Sequence, residues 1–309
     1  MVRMGKAFLA SLPVLASLAL LPTVLPGTAS AGVVYGDQSR SMYVWNGADY
    51  LGDGTAQTQA RNALANFCVA NGITEIFYGA APELAEIAAG GDDYDLHKFV
   101  GRMHNAGVKV HAVGGVNTWL DDPQGAVDFL DNARNYNEAA TNPNHRFDAI
   151  HYDVEPWALG LGSVWYQQYG TAYKDLIDAV YAANNGYFTL GFSISAWLDN
   201  AGHDYTGLNE YIQDRSDYVS IMAYQDTAAT IESWAQGEVG YADQHGKKVV
   251  VSVTTNPPNP PGTYPYNTFG DDTLAYMNGE LATVEADFAG HAGFAGIGIQ
   301  AYSYYKNMQ

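Results

Sequence analysis

The chain has 309 residues and carries 33 acidic against 14 basic side chains, a formal charge of −19. A polyanion of this kind is repelled by nucleic acid and by anionic lipid surfaces, which removes both as partners and fits a neutral ligand. The single cysteine, Cys68, lies in an apolar helical stretch over 63–70 and reads as a buried, inert thiol. With no second cysteine there is no intramolecular disulfide, and stability must come from a hydrophobic core.

The chain opens on Arg3 and Lys6, then an apolar run over 7–21, then Ala29-Ser30-Ala31. This three-part pattern predicts a secretory signal peptide over residues 1–31, with export from the cell and no membrane insertion after cleavage. Its removal would leave about 278 residues (32–309), the size of one large α/β barrel.

Eight short segments rich in β-branched and aromatic residues follow, over 42–46, 73–79, 108–114, 147–155, 188–195, 218–224, 248–255 and 293–301. Between most of them lies a stretch with helical periodicity, such as 58–70 and 165–183. A repeated strand-plus-helix unit with no break in composition predicts a parallel sheet wrapped by helices. Eight units predict closure into a single (β/α)8 TIM barrel filling 32–309. The chain ends just past the eighth strand, so the last helix should be short or missing. Pro257 to Pro261, after the seventh strand, reads as a stiff loop at the barrel rim.

The fourth segment holds the chemistry. Side chains alternate along a strand, so His151, Asp153 and Glu155 share the inner face while Ile150, Tyr152 and Val154 face the helices. Ionisable groups at three successive interior positions are costly without partners. Pro156 ends the strand at once and puts Glu155 at the C-terminal mouth, where barrel enzymes keep their active sites. Two neighbouring carboxyls repel, so one holds its proton towards neutral pH. A protonated carboxyl beside an ionised one suits glycoside cleavage, which needs an acid for the leaving oxygen and a charge facing an oxocarbenium-like transition state. Glu155 is the candidate acid and Asp153 its electrostatic partner, with His151 deeper and able to bond to Asp153. Asp226 and then Asp199 are the positions from which a second carboxylate could serve as nucleophile or base.

In these residues the sequence resembles the glycoside hydrolase family 18 chitinase-like barrels, whose fourth strand reads D-x-x-D-x-D-x-E. Asp148, His151, Asp153 and Glu155 stand in that register, and Met222-Ala223-Tyr224 matches the start of the family's M-x-Y-D on the sixth strand. The resemblance implies Glu155 as proton donor. It also implies that Asp153 holds, and Tyr224 bonds to, a substrate 2-acetamido group that itself attacks the anomeric carbon. The sequence departs from that pattern in having His151 for the middle aspartate, Gln225 with Asp226 displaced by one, and no tryptophan on the eighth strand.

Aromatic residues make up 13% of the chain, and Trp45, Trp119, Trp157 and Trp197 lie at or just beyond strand ends. With Gln300 and Tyr302 they would form a substrate-binding wall that stacks on sugar rings. His97, His104, His111, His145, His203, His245 and His291 show no metal-ligand spacing, and most of them read as surface or loop residues. No P-loop, dinucleotide fingerprint or G-x-S-x-G elbow occurs, so no cofactor is expected. The resulting expectation is a secreted glycosidase acting on an oligo- or polysaccharide. The alternatives are a non-catalytic chitinase-like sugar-binding barrel and a metal-dependent hydrolase built on His151, Asp153 and Glu155.

Overall fold

The structure, a computed structural model, describes residues 39–198, 205, 207–258 and 260–309. The segment read as a signal peptide lies outside them, as do Asp199 and His203. Eight parallel strands form a closed barrel in chain order: β1 Ser39–Val44, β2 Ile73–Gly79, β3 Lys109–Gly114, β4 Ala149–Tyr152, β5 Thr189–Ser195, β6 Tyr218–Met222, β7 Lys248–Thr254 and β8 Phe294–Gln300. The ring closes where β8 pairs with β1, Met42 opposite Ile299.

Helices α1 (Thr55–Ala70), α2 (Ala81–Ala88), α3 (Tyr94–His104), α4 (Gln124–Ala139), α5 (Trp165–Asn184), α6 (Leu208–Asp214), α7 (Ala228–His245) and α8 (Leu274–Asp287) surround the barrel. Two helices, α2 and α3, fill the β2–β3 connection. The final helix, α9 (Tyr302–Tyr305), is a single turn, as expected. No described helix is long and apolar enough to cross a membrane.

The pleat divides each strand between two cores. Outward residues such as Met42, Ile76, Val110, Ile150, Val219 and Ile297 join the helix faces in the larger apolar cluster. Cys68 belongs to that layer, and burial pushes its thiol pKa up to about 12, which leaves it inert. The inward apolar set is small: Tyr43, Phe77, Val113, Tyr218, Val250, Ala295 and Ala301, with Trp45 packed above. Polar side chains fill the rest of the interior, a departure from the bulky aliphatic layers usual in such barrels. Large rings fit because glycine faces them. A Cβ on Gly191 would sit 2.1 Å from the Tyr218 ring.

Asp148 does not belong to this interior. At the foot of β4 it accepts from the Val110 amide (2.7 Å) and lies 2.8 Å from His104 Nε2. Burial opposes the charge on Asp148, but His104 and the amide outweigh it and lower its pKa. Burial likewise works against His104⁺, and the Asp148 carboxylate outweighs it and raises its pKa.

Two measurements check these contacts. Gly191→Ala should destabilise the barrel by about 1–3 kcal/mol through overpacking, read as a fall in the urea midpoint. For the Asp148–His104 pair the signs oppose. The Asp148 contribution is present above its ordinary carboxylate value and is lost as pH falls through the lowered one. The His104 contribution is present below its ordinary histidine value and is lost as pH rises through the raised one. Asp148→Asn should therefore cost more thermal stability near about pH 6 than near about pH 9, measured as Tm against wild type.

Candidate active site

Strand β4 ends at Tyr152, yet its ladder continues one step further, since the Asp153 amide donates to Gly114 O at 2.9 Å. Gly115 permits this, because a Cβ there would lie 2.0 Å from Asp153 O. Pro156 then starts a short 3-10 turn, Pro156–Leu159, and the chain leaves the barrel. His151 is thereby fully buried, while Asp153 and Glu155 remain partly exposed above it on the same inner face.

The two carboxyls act on each other. Burial, and then repulsion from Glu155, pushes the Asp153 pKa up to about 7. Burial also raises the pKa of Glu155, against the Trp157 indole N–H, which donates to Glu155 Oε2 at 2.9 Å. Tyr43, Tyr173 and Tyr224 all sit in the field of both carboxyls, and their own pKa values rise, first through burial. Proton loss from the pair is therefore shifted up towards the neutral range, the direction a general acid requires.

Around the pair, the Tyr224 hydroxyl donates to Gln300 Oε1 at 2.6 Å, joining the ends of β6 and β8. Trp45 stacks on Tyr43 with ring centroids 5.6 Å apart. Trp157 meets Trp165 (5.7 Å) and Trp197 (5.8 Å) edge to face, and Trp165 stacks on Tyr205. This aromatic block fixes the indole that holds Glu155.

Four expectations require correction. His151 does not bond to Asp153. Its Nε2 lies 2.9 Å from Ser193 Oγ and its Nδ1 lies 3.0 Å from Tyr218 Oη, because a buried ring takes partners across the barrel at its own level. With both nitrogens engaged by protein, it offers no lone pair to a metal beside Asp153 and Glu155. Trp119 packs on Phe129 and Tyr152, the outward side of β4, where Gly125 makes room for its ring. Tyr302 opens α9 and turns against Phe67 of α1, 5.2 Å away, so it joins the outer core. Asp226 has its pKa raised by burial and then by Asp271 and Glu280, not by the β4 carboxyls. The chain has left β6 by that point.

Sequence reasoning also missed the polar floor beneath the pair. His111, read as a surface or loop histidine, is fully buried, its Nδ1 2.8 Å from Tyr218 Oη and its Nε2 3.2 Å from Glu75 Oε2. The Tyr43 hydroxyl donates to Ser220 Oγ at 2.8 Å, and Ser220 Oγ lies 2.7 Å from Ser252 Oγ. The available signal was parity: Glu75 and His111 hold inward positions within apolar strands, as His151 does.

The indole tether gives a check on the site. Trp157→Phe removes the donor that favours ionised Glu155, so the Glu155 titration midpoint should move up. Carboxyl 13C NMR against pH, assigned with Glu155→Gln, measures it; an unchanged midpoint would mean the tether carries no electrostatic weight.

No protein-family model and no curated protein sequence matches the chain. Solved structures do. A family 18 chitinase from Pseudoalteromonas aurantia aligns with TM-score 0.57 at 12% identity, covering 86% of this chain and 94% of that one. The endo-β-N-acetylglucosaminidase from Cordyceps militaris aligns with TM-score 0.51 at 15% identity, over 87% and 83% of the two chains. The spore cortex-lytic enzyme of Bacillus cereus aligns with TM-score 0.51 at 12% identity, over 87% and 72%. At these identities the likeness is one of fold: the chain has a (β/α)8 barrel of the kind found in family 18 chitinases and related glycosidases.

Proposed function

We propose that this chain is an exported glycoside hydrolase that cleaves an oligo- or polysaccharide, with Glu155 as general acid and Asp153 as its electrostatic partner. The observation that carries the reading is the pair itself. Two mutually repelling carboxyls stand on the inner face of one strand at the barrel mouth, both with raised pKa values and one held by an indole N–H. Export rests on the three-part pattern over residues 1–31.

In this reading Glu155 protonates the glycosidic oxygen as the C–O bond breaks, and the leaving alcohol departs with that proton. The positive charge growing on the sugar ring is stabilised by the negative charge of the pair. Glu155, now a carboxylate, takes a proton from the incoming water as its oxygen joins the anomeric carbon, which restores the acid. Because Asp226 sits in the field of Asp271 and Glu280, the attacking group is best supplied by the substrate. A sugar with a 2-acetamido group carries such a nucleophile in its amide oxygen, which bonds to the anomeric carbon as the leaving oxygen departs and is displaced from it when the water oxygen arrives; Tyr224 and Gln300, bonded to each other at the ends of β6 and β8, are the groups proposed to hold it. Trp45 offers an apolar face for a ring.

Glu155→Gln should slow hydrolysis by about 10²–10⁴-fold on an unactivated glycan while leaving Tm nearly unchanged. Oligosaccharides of 2-acetamido sugars, compared with their unsubstituted counterparts and read by released reducing ends, test the substrate class. Equal activity in the variant would refute the acid assignment. Calorimetric binding without product over long incubation would identify a sugar-binding barrel instead.

A further inference from the structure

The loop after β7 takes no part in the chemistry above, yet its composition and geometry set it apart. Residues 254–270 contain no charged side chain, in a chain of formal charge −19. Pro257, Pro258, Pro260, Pro261 and Pro265 each fix a backbone φ within it. Its base is closed by hydrogen bonds. Thr268 Oγ1 lies 3.1 Å from Thr254 O and 2.6 Å from Asn256 O, and the Phe269 amide donates to Thr254 O at 2.9 Å.

Within this stiff loop two aromatic side chains are turned to solvent. Tyr264 and Tyr266 are 66% and 52% exposed, and their ring centroids lie 6.1 Å apart with the planes at 88°, so they form a corner. Among the described residues neither phenol hydroxyl has a hydrogen-bond partner. Tyr264 stands at φ 47° and ψ 49°, left-handed backbone that a bulky side chain rarely takes. Neither the exposure nor the strain stabilises the fold. Strained backbone that its surroundings hold in place gathers at sites that clamp a ligand.

Both feet of the loop are fastened to the barrel mouth. Thr254 pairs with Gln300 along the β7–β8 ladder, and Thr255 Oγ1 donates to Gln300 O at 3.0 Å. At the other end Gln225 Nε2 donates to Asn267 Oδ1 at 3.3 Å. Gln225 follows Tyr224, whose hydroxyl donates to Gln300 Oε1. The corner therefore belongs to the sector of the rim that adjoins the Tyr224–Gln300 pair.

The chemistry of the corner selects its occupant. An uncharged loop gives no counter-charge to an ion, while two phenol rings offer apolar faces with a hydroxyl at the edge. A pyranose matches both, with a C–H face for the ring and hydroxyls for the phenol. A stable protein interface needs a far wider patch than two side chains. We propose that Tyr264 and Tyr266 form an outer sugar platform, which holds a neutral glycan unit beyond those bound at the Tyr224–Gln300 end of the cleft. The platform deepens the glycosidase reading and rests on it for the direction in which the chain leaves the mouth. Because the prolines and the base contacts set the corner before binding, capture of the sugar costs little loop entropy. Preference for longer chains is the consequence.

The experiment is calorimetry with hexasaccharides of 2-acetamidoglucose and of glucose, both neutral, in Glu155→Gln so that the ligand stays intact. A ring-deleted variant adds Tyr264→Asn and Tyr266→Ala, asparagine being chosen because it tolerates left-handed backbone. A ring-kept variant adds Tyr264→Phe and Tyr266→Phe. The ring-deleted variant should bind the preferred hexasaccharide about tenfold more weakly, the worth of two stacked rings. The ring-kept variant should stay within about threefold, since the apolar faces remain. Circular dichroism checks the fold; should the ring-deleted variant not fold, Tyr266→Ala alone decides, with a loss of about threefold or more expected. Equal affinity without the rings, or no binding of either hexasaccharide by Glu155→Gln, would overturn the platform. So would a wild type that sediments as a dimer and a ring-deleted variant that sediments as a monomer, which would give the corner to a second copy. Reducing-end release by the wild type separates the two readings. Hydrolysis with an affinity indifferent to the rings sinks the platform alone, and ring-dependent binding without hydrolysis sinks the glycosidase reading alone.

Discussion

Closing eight parallel strands into a ring sends every second side chain into a space sealed from water, and any polar group placed there has to find a protein partner. In most barrels the constraint is met by filling the interior with branched aliphatic residues. Here it is met by pairing. His111, Tyr218, His151, Ser193, Tyr43, Ser220 and Ser252 are linked by contacts of 2.7–3.0 Å, and Glu75 lies 3.2 Å from His111. Large rings and small residues alternate so that the contacts can form, Gly191 opposite Tyr218 and Gly298 against Ser252. An unpaired group at this depth would cost several times what a surface hydrogen bond returns.

The same constraint shapes the electrostatics at the mouth. Asp153 and Glu155 stand at the level where the seal ends, buried enough for their proton affinities to rise and still partly exposed. Desolvation is the first cause of both shifts, and like-charge repulsion adds to it at Asp153. The Trp157 indole works in the opposite sense on Glu155, and it can do so only because Trp165, Trp197 and Tyr205 hold it in place. The electrostatic environment of Glu155 thus depends on apolar packing outside the barrel.

Much of this architecture was legible beforehand. The eight apolar segments became the eight strands within a few residues, and the inward parity of residues 151, 153 and 155 followed from a period of two. The partners of those residues were not legible. Which strand faces His151 across the ring depends on closure and on the depth at which each strand starts, so Ser193 and Tyr218 carried no mark in the sequence. Trp119 and Tyr302 were misplaced because each belongs to a helical turn beyond its strand, Asn117–Leu120 and Tyr302–Tyr305, whose backbone rather than the pleat directs the side chain.

The sequence by itself determined the class of fold, the strand that bears the two carboxyls and the face on which they stand, because hydrophobic periodicity and pleat parity are local properties. Only the tertiary structure decided what surrounds them: the hydrogen-bonded polar floor below, the indole on Glu155, and the outward burial of residues that composition had placed on the rim. Those depend on distances between segments far apart in the chain, which exist only once the ring has closed.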